Sequence, residues 1–334
     1  MTDFDRDAAN AKRRQLLQAG LGAAALGAVP GAVQLAHAQG AFDWKKFKGE
    51  KIEIFLVKSP RGDLLTKYHK EFEDLTGISV GSEMIPEQQQ RQKAVIEFNS
   101  GNPSFDVIAL SYHVQKRQFA KNNWLTDLRP MINDKALAAP DLDFADFAQG
   151  GLNYAVESDG RVMSLPLNLD PWVVYYNKEL FDAKGIAYPK TFAEMIDAAA
   201  KLNDASKGVA GFVGRGLKNA NVPVWSSFLL GYGGGFVDAN GKLTTNTPEA
   251  IEAGKMYQTL LGKYGPQGVA GFNWNESQSL FLQGKAAMWL DGIGFAQPLE
   301  DPTKSRIVGK VGYGVMPAGP KRQVSALFGD GEGI

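Results

Sequence analysis

Two kinds of apolar segment alternate early in the chain, and this alternation limits the folds that the sequence can adopt. Lys51 to Val57 carries apolar residues on both faces of an extended segment, as in a parallel strand covered by helices. Asp63 to Leu75 has its apolar residues at helical spacing. Ile78 to Glu83 and Phe105 to Leu110 are further strand-like segments, separated by a polar helix. The order strand, helix, strand, helix, strand predicts an α/β fold with a doubly wound parallel sheet.

Further strands and helices follow in the second half of the sequence, after a change in composition. Residues 165–171 form an extended connector bounded by prolines, and a strongly β segment follows it. The residues Asp238 to Gly241 read as a hairpin turn. Asn275 is expected to cap a late helix. Strands are predicted at 172–177, 285–290 and 310–316, and helices at 178–184, 191–204, 247–261 and 275–284.

The N-terminal residues have the three regions of a secretory signal. Basic residues at 12–14 precede an apolar run from Ala19 to Val29, and Ala36-His37-Ala38 offers small residues for a signal peptidase. Arg13-Arg14 resembles a twin-arginine export signal. The apolar run is too short to span a bilayer as a helix. We therefore expect residues 1–38 to be removed, the mature chain to begin at Gln39, and the protein to be exported.

Composition excludes several classes of function. Lys plus Arg and Asp plus Glu are both 36, so no basic excess points to nucleic acid. The chain has no cysteine, which excludes disulfides and thiolate chemistry. His69 and His113 are far apart and are interpreted as lone surface histidines. We expect no metal and no cofactor.

The predicted sheet itself selects candidate ligand-binding residues. In an open parallel sheet, ligands bind beyond the carboxyl ends of the strands. That rule selects the loops at 59–62 and 111–113, and the proline-bounded connector adds a third place between two domains. The residues selected in this way are Ser59, Arg61, Ser111, Tyr112, Asp170 and Trp172.

Five stretches in a fixed order carry a resemblance to a known family. They are 105–110, 165–166 with 174–181, 190–195, 281–288 and 310–317. Through them the chain resembles the extracellular solute-binding proteins, family 1, of ABC importers, the sugar-binding, maltose-binding-protein-like family.

The resemblance implies a fold, a location and partners. The fold is the type II periplasmic binding protein fold, with two lobes that are each a mostly parallel sheet flanked by helices. Residues 39–168 and 314–334 would form the N-terminal lobe, and 169–313 the C-terminal lobe. The protein would be a periplasmic monomer without enzymatic activity, which binds a carbohydrate or polyol and delivers it to a membrane permease.

The resemblance also carries over to single residues. Asp170 matches an acid that bonds sugar hydroxyls at the crossover, and Trp225 matches an aromatic residue near the sugar. Gly294 stands where the family has a stacking tryptophan. The stretch that contains Arg215 and Asn221 looks like the sugar-alcohol and monosaccharide binders of the family.

Sugar chemistry adds further candidates, each with a structural alternative. Carboxylate, guanidinium and amide groups bond hydroxyls, and aromatic rings cover C–H faces. Asp291 joins the first group and Tyr232 the second. Asp170 could instead bend the connector, and Trp172 and Trp225 could belong to the core.

Two other functions stay open. Asp170 and Asp291 could be the paired carboxylates of a secreted carbohydrate-active enzyme. The cargo could also be a non-sugar solute such as a polyamine. Because the family continues past the equivalent of residue 334, we expect the chain to be C-terminally truncated.

Overall fold

The segment between Lys51 and Ser111 folds as the predicted alternation of strands and helices. The computed structural model describes residues 42–334, so the predicted export signal and the predicted start at Gln39 lie outside the described residues. The elements of this segment are β1 (Lys51–Val57), α1 (Pro60–Thr76), β2 (Ser79–Ile85), α2 (Glu87–Ser100) and β3 (Val107–Ser111). β1 pairs in parallel with β2 on one side and with β3 on the other, which confirms the parallel sheet predicted here.

Local signals fix both ends of α1. Ser59 is the N-cap, and its side chain accepts a hydrogen bond from the Gly62 N–H at 3.2 Å. Pro60 occupies the first turn, where a missing N–H costs nothing. Gly77 ends the helix in the left-handed region, at φ 73°. These caps place the residues after β1 at the carboxyl edge of the sheet.

The long strand β4 (Leu165–Asn177) connects the two halves of the described chain. Three helices precede it, α3 (Tyr112–Asn122), α4 (Arg129–Ile132) and α5 (Gln149–Ala155). The first part of β4 pairs with β7 (Leu327–Gly333), and its later part pairs with β5 (Met288–Gly292) and β6 (Val311–Gly314). The proline-bounded connector is therefore part of a strand that crosses between the two halves.

Strand direction differs between the two halves. The full sheet has the order β2-β1-β3-β7-β4-β5, with β6 also paired to β4. β4 pairs antiparallel with β5, β6 and β7, so the expectation of a mostly parallel sheet holds for β1 to β3 and not for these strands. Parallel pairing in the second half is limited to isolated bridges between single residues, such as Ala210 with Ala286 and Val213 with Trp289, which do not extend into a strand.

The helices of the second half lie close to their predicted positions. They are α6 (Lys178–Ala183), α7 (Phe192–Leu202), α8 (Asn221–Gly231), α9 (Pro248–Tyr264) and α10 (Trp274–Leu282). The predicted hairpin forms, with Val237 bridged to Leu243. Asn275 does not cap α10; Asn273 does, because Glu276, three residues on, accepts a hydrogen bond from its backbone N–H at 2.8 Å.

Separate hydrophobic clusters lie in the two halves. One is built from buried residues between Phe55 and Met163, beside β1 and β3. Two others surround the later part of β4 and draw on residues from Trp172 onward. Phe328, at the start of β7, packs in the later half although the predicted lobe boundary assigns it to the first. Within residues 42–334 no helix has the length and apolar character needed to cross a membrane.

Candidate functional site

A cleft lies where the carboxyl ends of β1 and β3 meet β4 and β7. Its volume is about 660 Å³, including space open to solvent. Both halves of the chain line it. Five of the predicted site residues are part of the lining, namely Ser59, Arg61, Ser111, Asp170 and Arg215. The other lining residues with polar or aromatic side chains are Glu87, His113, Trp274, Phe295, Phe328 and Asp330.

Arg61 joins the first half of the chain to the crossing strands. It lies in the first turn of α1, where Ser59 and Pro60 start the helix at the edge of the sheet. Its Nη1 donates to Asp170 Oδ2 at 3.1 Å, and its Nη2 is 2.8 Å from Asp330 Oδ2. Burial raises the pKa of the Asp330 carboxyl, and Arg61 acts in the opposite direction. One guanidinium thus serves two carboxylates.

Asp170 also holds the second half of the chain at this point. The backbone N–H of Gly294 donates to Asp170 Oδ1 at 2.6 Å. A Cβ at position 294 would lie only 3.1–3.2 Å from polar atoms of Arg61 and Asp170, so glycine favours this close approach. The Arg61–Asp170 contact thus lies beside position 294, where the resemblance led us to look for a stacking residue.

Arg215 and Asp291 form a buried bidentate ion pair on the other side of the cleft. Arg215 Nε and Nη2 donate to Asp291 Oδ2 and Oδ1 at 2.9 and 2.6 Å. The Arg215 guanidinium also lies 5.1 Å from the centre of the Trp172 ring. Burial alone would lower the pKa of Arg215, but Asp291 raises it above its ordinary value. Arg215 therefore remains a cation at the wall of the cleft.

Glu87 makes a hydrogen bond between the two halves. It begins α2, and its side chain accepts from Arg91 Nη2 at 2.5 Å and from Asn273 Nδ2 at 3.0 Å. Asn273 belongs to the N-terminus of α10, in the other half. Although burial raises it, the pKa of Glu87 is lowered overall because Arg91 and Arg215 lie close by. A charged Glu87 thus ties α2 to α10 across the cleft.

Aromatic rings supply the apolar surface of the cleft. Trp274 stacks on Phe295, with ring centres 4.9 Å apart. The guanidinium groups of Arg61 and Arg215 each lie 5.7 Å from the Phe295 ring centre. Phe328 adds a third ring. A sugar or polyol has two kinds of surface, its C–H faces and its hydroxyls. The aromatic rings can contact the C–H faces, and the charged groups beside them can bond the hydroxyls.

Six predicted site residues lie outside the lining of this cleft. Trp172 is 1% exposed and belongs to the core, which was the structural alternative considered for it. Tyr112 is also buried, and its hydroxyl hydrogen-bonds Ser164 at 2.6 Å. The remaining four are Asp291 behind Arg215, Asn221 at the start of α8, Trp225 packed against Phe236, and Tyr232 at the end of α8.

His113 is not the surface histidine that the sequence suggested. It lines the cleft, and its ring stacks on Phe328 with a centroid distance of 4.0 Å and an interplanar angle of 4°. The first turn of α3 directs it towards β7, which sequence spacing alone does not reveal. Burial, together with Arg91 and Arg215, lowers the pKa of His113 to about 3. Its imidazole is therefore neutral at physiological pH.

The fold and the cleft together define a class, the two-lobe periplasmic binding proteins of type II. A solved structure of this class, an ABC transporter solute-binding protein from Agrobacterium radiobacter in complex with ribitol, matches with a TM-score of 0.79 and 28% identity. The match covers 86% of this chain and 71% of that one. Residues 58–333 match the family model described as bacterial extracellular solute-binding protein, and the chain belongs to that family.

Two curated relatives differ in the cargo that their names give. The erythritol/L-threitol-binding protein of Mycolicibacterium smegmatis is 26% identical over 302 residues, which are 84% of this chain and 62% of that protein. A protein of Sinorhizobium fredii named "Probable amino-acid ABC transporter periplasmic-binding protein" is 27% identical over 303 residues, 87% of this chain and 66% of its own length. The chain thus spans just under two thirds of the length of these relatives.

Proposed function

We propose that this protein is the periplasmic solute-binding component of an ABC importer and binds a sugar or sugar alcohol in the cleft between its lobes. The observation that carries the proposal is the cleft itself, lined from both halves by carboxylates, arginines and aromatic rings. Relatives whose names or complexes give erythritol, threitol and ribitol as ligands support the choice of cargo.

The mechanism we propose is capture by closure. Asp170 and Asp330 accept hydrogen bonds from solute hydroxyls on the crossing strands, while Arg61 fixes the position of both carboxylates. Phe295 and Phe328 cover the C–H faces of the solute. A solute that contacts both lobes binds the closed form more tightly than the open form and so shifts the equilibrium towards closure. The closed form then docks on the membrane permease.

The geometry favours binding over the alternative of a carbohydrate-active enzyme. In that alternative, Asp170 and Asp291 would act as general acid and as nucleophile or base. Both oxygens of Asp291 accept hydrogen bonds from Arg215, and Asp170 accepts from Arg61 and from the Gly294 N–H. Both carboxyl groups are therefore already engaged by donors of the chain itself, which leaves neither of them free to act on a glycosidic bond.

A ligand screen by thermal unfolding and titration calorimetry tests this function. We expect at least one of erythritol, ribitol and mannitol to raise the unfolding midpoint, because a ligand at 100 times its Kd stabilises the folded form by about 2.7 kcal/mol. Maltose and the polyamine putrescine are the comparison ligands. A polyamine that binds while every sugar and polyol fails would overturn the proposed cargo.

A matched pair of variants connects binding to the cleft. Asp170→Asn removes a charge that bonds Arg61 and should weaken polyol binding at least tenfold. Asp182→Asn makes the same change at an exposed position of α6 and should leave affinity unchanged. Equal affinities for the two variants would place the solute elsewhere.

A further inference from the structure

Every arginine at the cleft already has a carboxylate partner. Arg61 contacts Asp170 and Asp330, and Arg215 holds Asp291 in a bidentate pair. A third pair lies directly behind the lining, where Arg91 bonds Glu87. No guanidinium of these three pairs is left to neutralise a negative charge brought by a ligand.

Acidic groups outnumber arginines in this cluster. Its three arginines face four carboxyl groups, so the cluster holds no positive charge in excess. His113, the histidine of the cleft lining, does not change the sum, because burial lowers its pKa to about 3 and the imidazole is neutral. An anionic solute would therefore bring its charge beside these acids with no unpaired arginine to neutralise it, which is strongly unfavourable where water is excluded.

The hydrogen-bonding capacity of the cluster leads to the same preference. A guanidinium can only donate, and an ionised carboxylate can only accept. Because Asp170 and Asp330 share the single guanidinium of Arg61, both retain acceptor positions. The cleft thus presents a solute with carboxylate acceptors beside the remaining N–H groups of Arg61. A chain of hydroxyls supplies the matching donors, whereas a phosphate or a carboxylate brings further acceptors.

We propose that the cleft selects uncharged polyhydroxyl solutes and rejects the corresponding acids and phosphate monoesters, and that Asp330 sets this selectivity. The proposal rests on the proposed function and narrows it. It separates this chain from a relative whose name gives amino acids as cargo, because an amino acid carries a carboxylate that none of these arginines is free to bind. Asp330 is the specificity-determining residue because it is the second acid on Arg61.

Calorimetry on the wild-type chain with one carbon skeleton in different charge states tests the proposal. The probes are ribitol, ribonate, which carries a terminal carboxylate, and ribitol 5-phosphate. If erythritol or mannitol binds better than ribitol, the corresponding acid and phosphate of that polyol replace these probes. We expect the neutral polyol to bind on the order of 100-fold more tightly than either anion. Anions that bind within tenfold of the polyol would overturn the proposal, and failure of every sugar and polyol would overturn the proposed function instead.

Asp330→Asn tests the assigned residue. This variant keeps the size of the side chain, removes one of the four acids and leaves Arg61 with one acidic partner. We expect polyol affinity to fall and the preference for the polyol over the phosphate to narrow at least tenfold. Asp182→Asn is the matched control and should keep the wild-type preference. An unchanged preference in folded Asp330→Asn would refute the role of Asp330, and if this variant does not fold, the wild-type series still decides the charge selectivity.

Discussion

The neutral His113 makes the stability of the protein depend on pH in a direction that the structure fixes. Its pKa is lowered from 6.5 to about 3 by burial and by Arg91 and Arg215, with Arg61 acting in the same sense and Glu87 opposing. Between these two pH values the unfolded chain binds a proton that the folded protein does not. The contribution of His113 to stability is therefore complete above pH 6.5 and is lost as the pH falls towards 3.

The size of this loss follows from the two pKa values. At pH 5 the unfolded histidine is mostly protonated and the folded one is not, so the free energy of unfolding decreases by about 2 kcal/mol relative to pH 7.5. Carboxyl groups also titrate over this range. The contribution of His113 is isolated by comparing wild type with His113→Phe, which keeps a ring against Phe328 and cannot take up a proton.

Urea unfolding at pH 7.5 and at pH 5 measures the effect. Between these two conditions His113→Phe should lose about 2 kcal/mol less than wild type does. His69→Phe, on α1 and away from the cleft, is the matched control for replacing a histidine by phenylalanine. If wild type and His113→Phe lose the same free energy, His113 is not held neutral by the cleft, and the argument from its burial is refuted.

Two further substitutions test contacts across the cleft. Arg215→Met leaves the buried Asp291 without its cation and should lower the free energy of unfolding by about 3–5 kcal/mol in urea titrations, whereas adding Asp291→Leu should restore most of it. A loss below about 1 kcal/mol would contradict the burial of this pair. Asn273→Ser keeps a good N-cap, but the serine is too short to reach Glu87, so calorimetry should show solute binding about 10-fold weaker. Asn275→Ser is the control, and equal affinities in the two variants would exclude a role of the Asn273–Glu87 bond in closure.

The parts of the fold that could be predicted are those that local chemistry decides. Ser59 before Pro60 marks the start of α1, and Thr247 before Pro248 marks the start of α9, because a capping side chain and a missing N–H act within one turn. The apolar faces of β1 required burial on both sides. The cap at Asn273 was not predicted because Asn275, two positions later, is the same residue type. The sequence does not show at which of the two asparagines the helix begins.

The candidate site could be predicted only where one rule about parallel sheets applies. Ser59 and Arg61 follow β1, Ser111 is the last residue of β3, and the structure brings all three to the cleft. Glu87 follows β2 in the same way, and the rule would have found it had it been applied to that strand. Phe295 follows β5, an antiparallel strand to which the rule does not extend.

The missed Asp330 did leave a signal in the sequence. Glycine occupies every second position of β7, at 329, 331 and 333. Successive side chains of a strand point to opposite faces, so these glycines share one face, and there a Cβ would collide with Tyr112, Tyr154 or the Met163 carbonyl. Asp330 must then point to the other face, which is the cleft. The same alternation explains Tyr112. Its ring fills the space that the missing side chains of β7 leave, and this packing, rather than contact with a solute, accounts for an aromatic residue directly after β3.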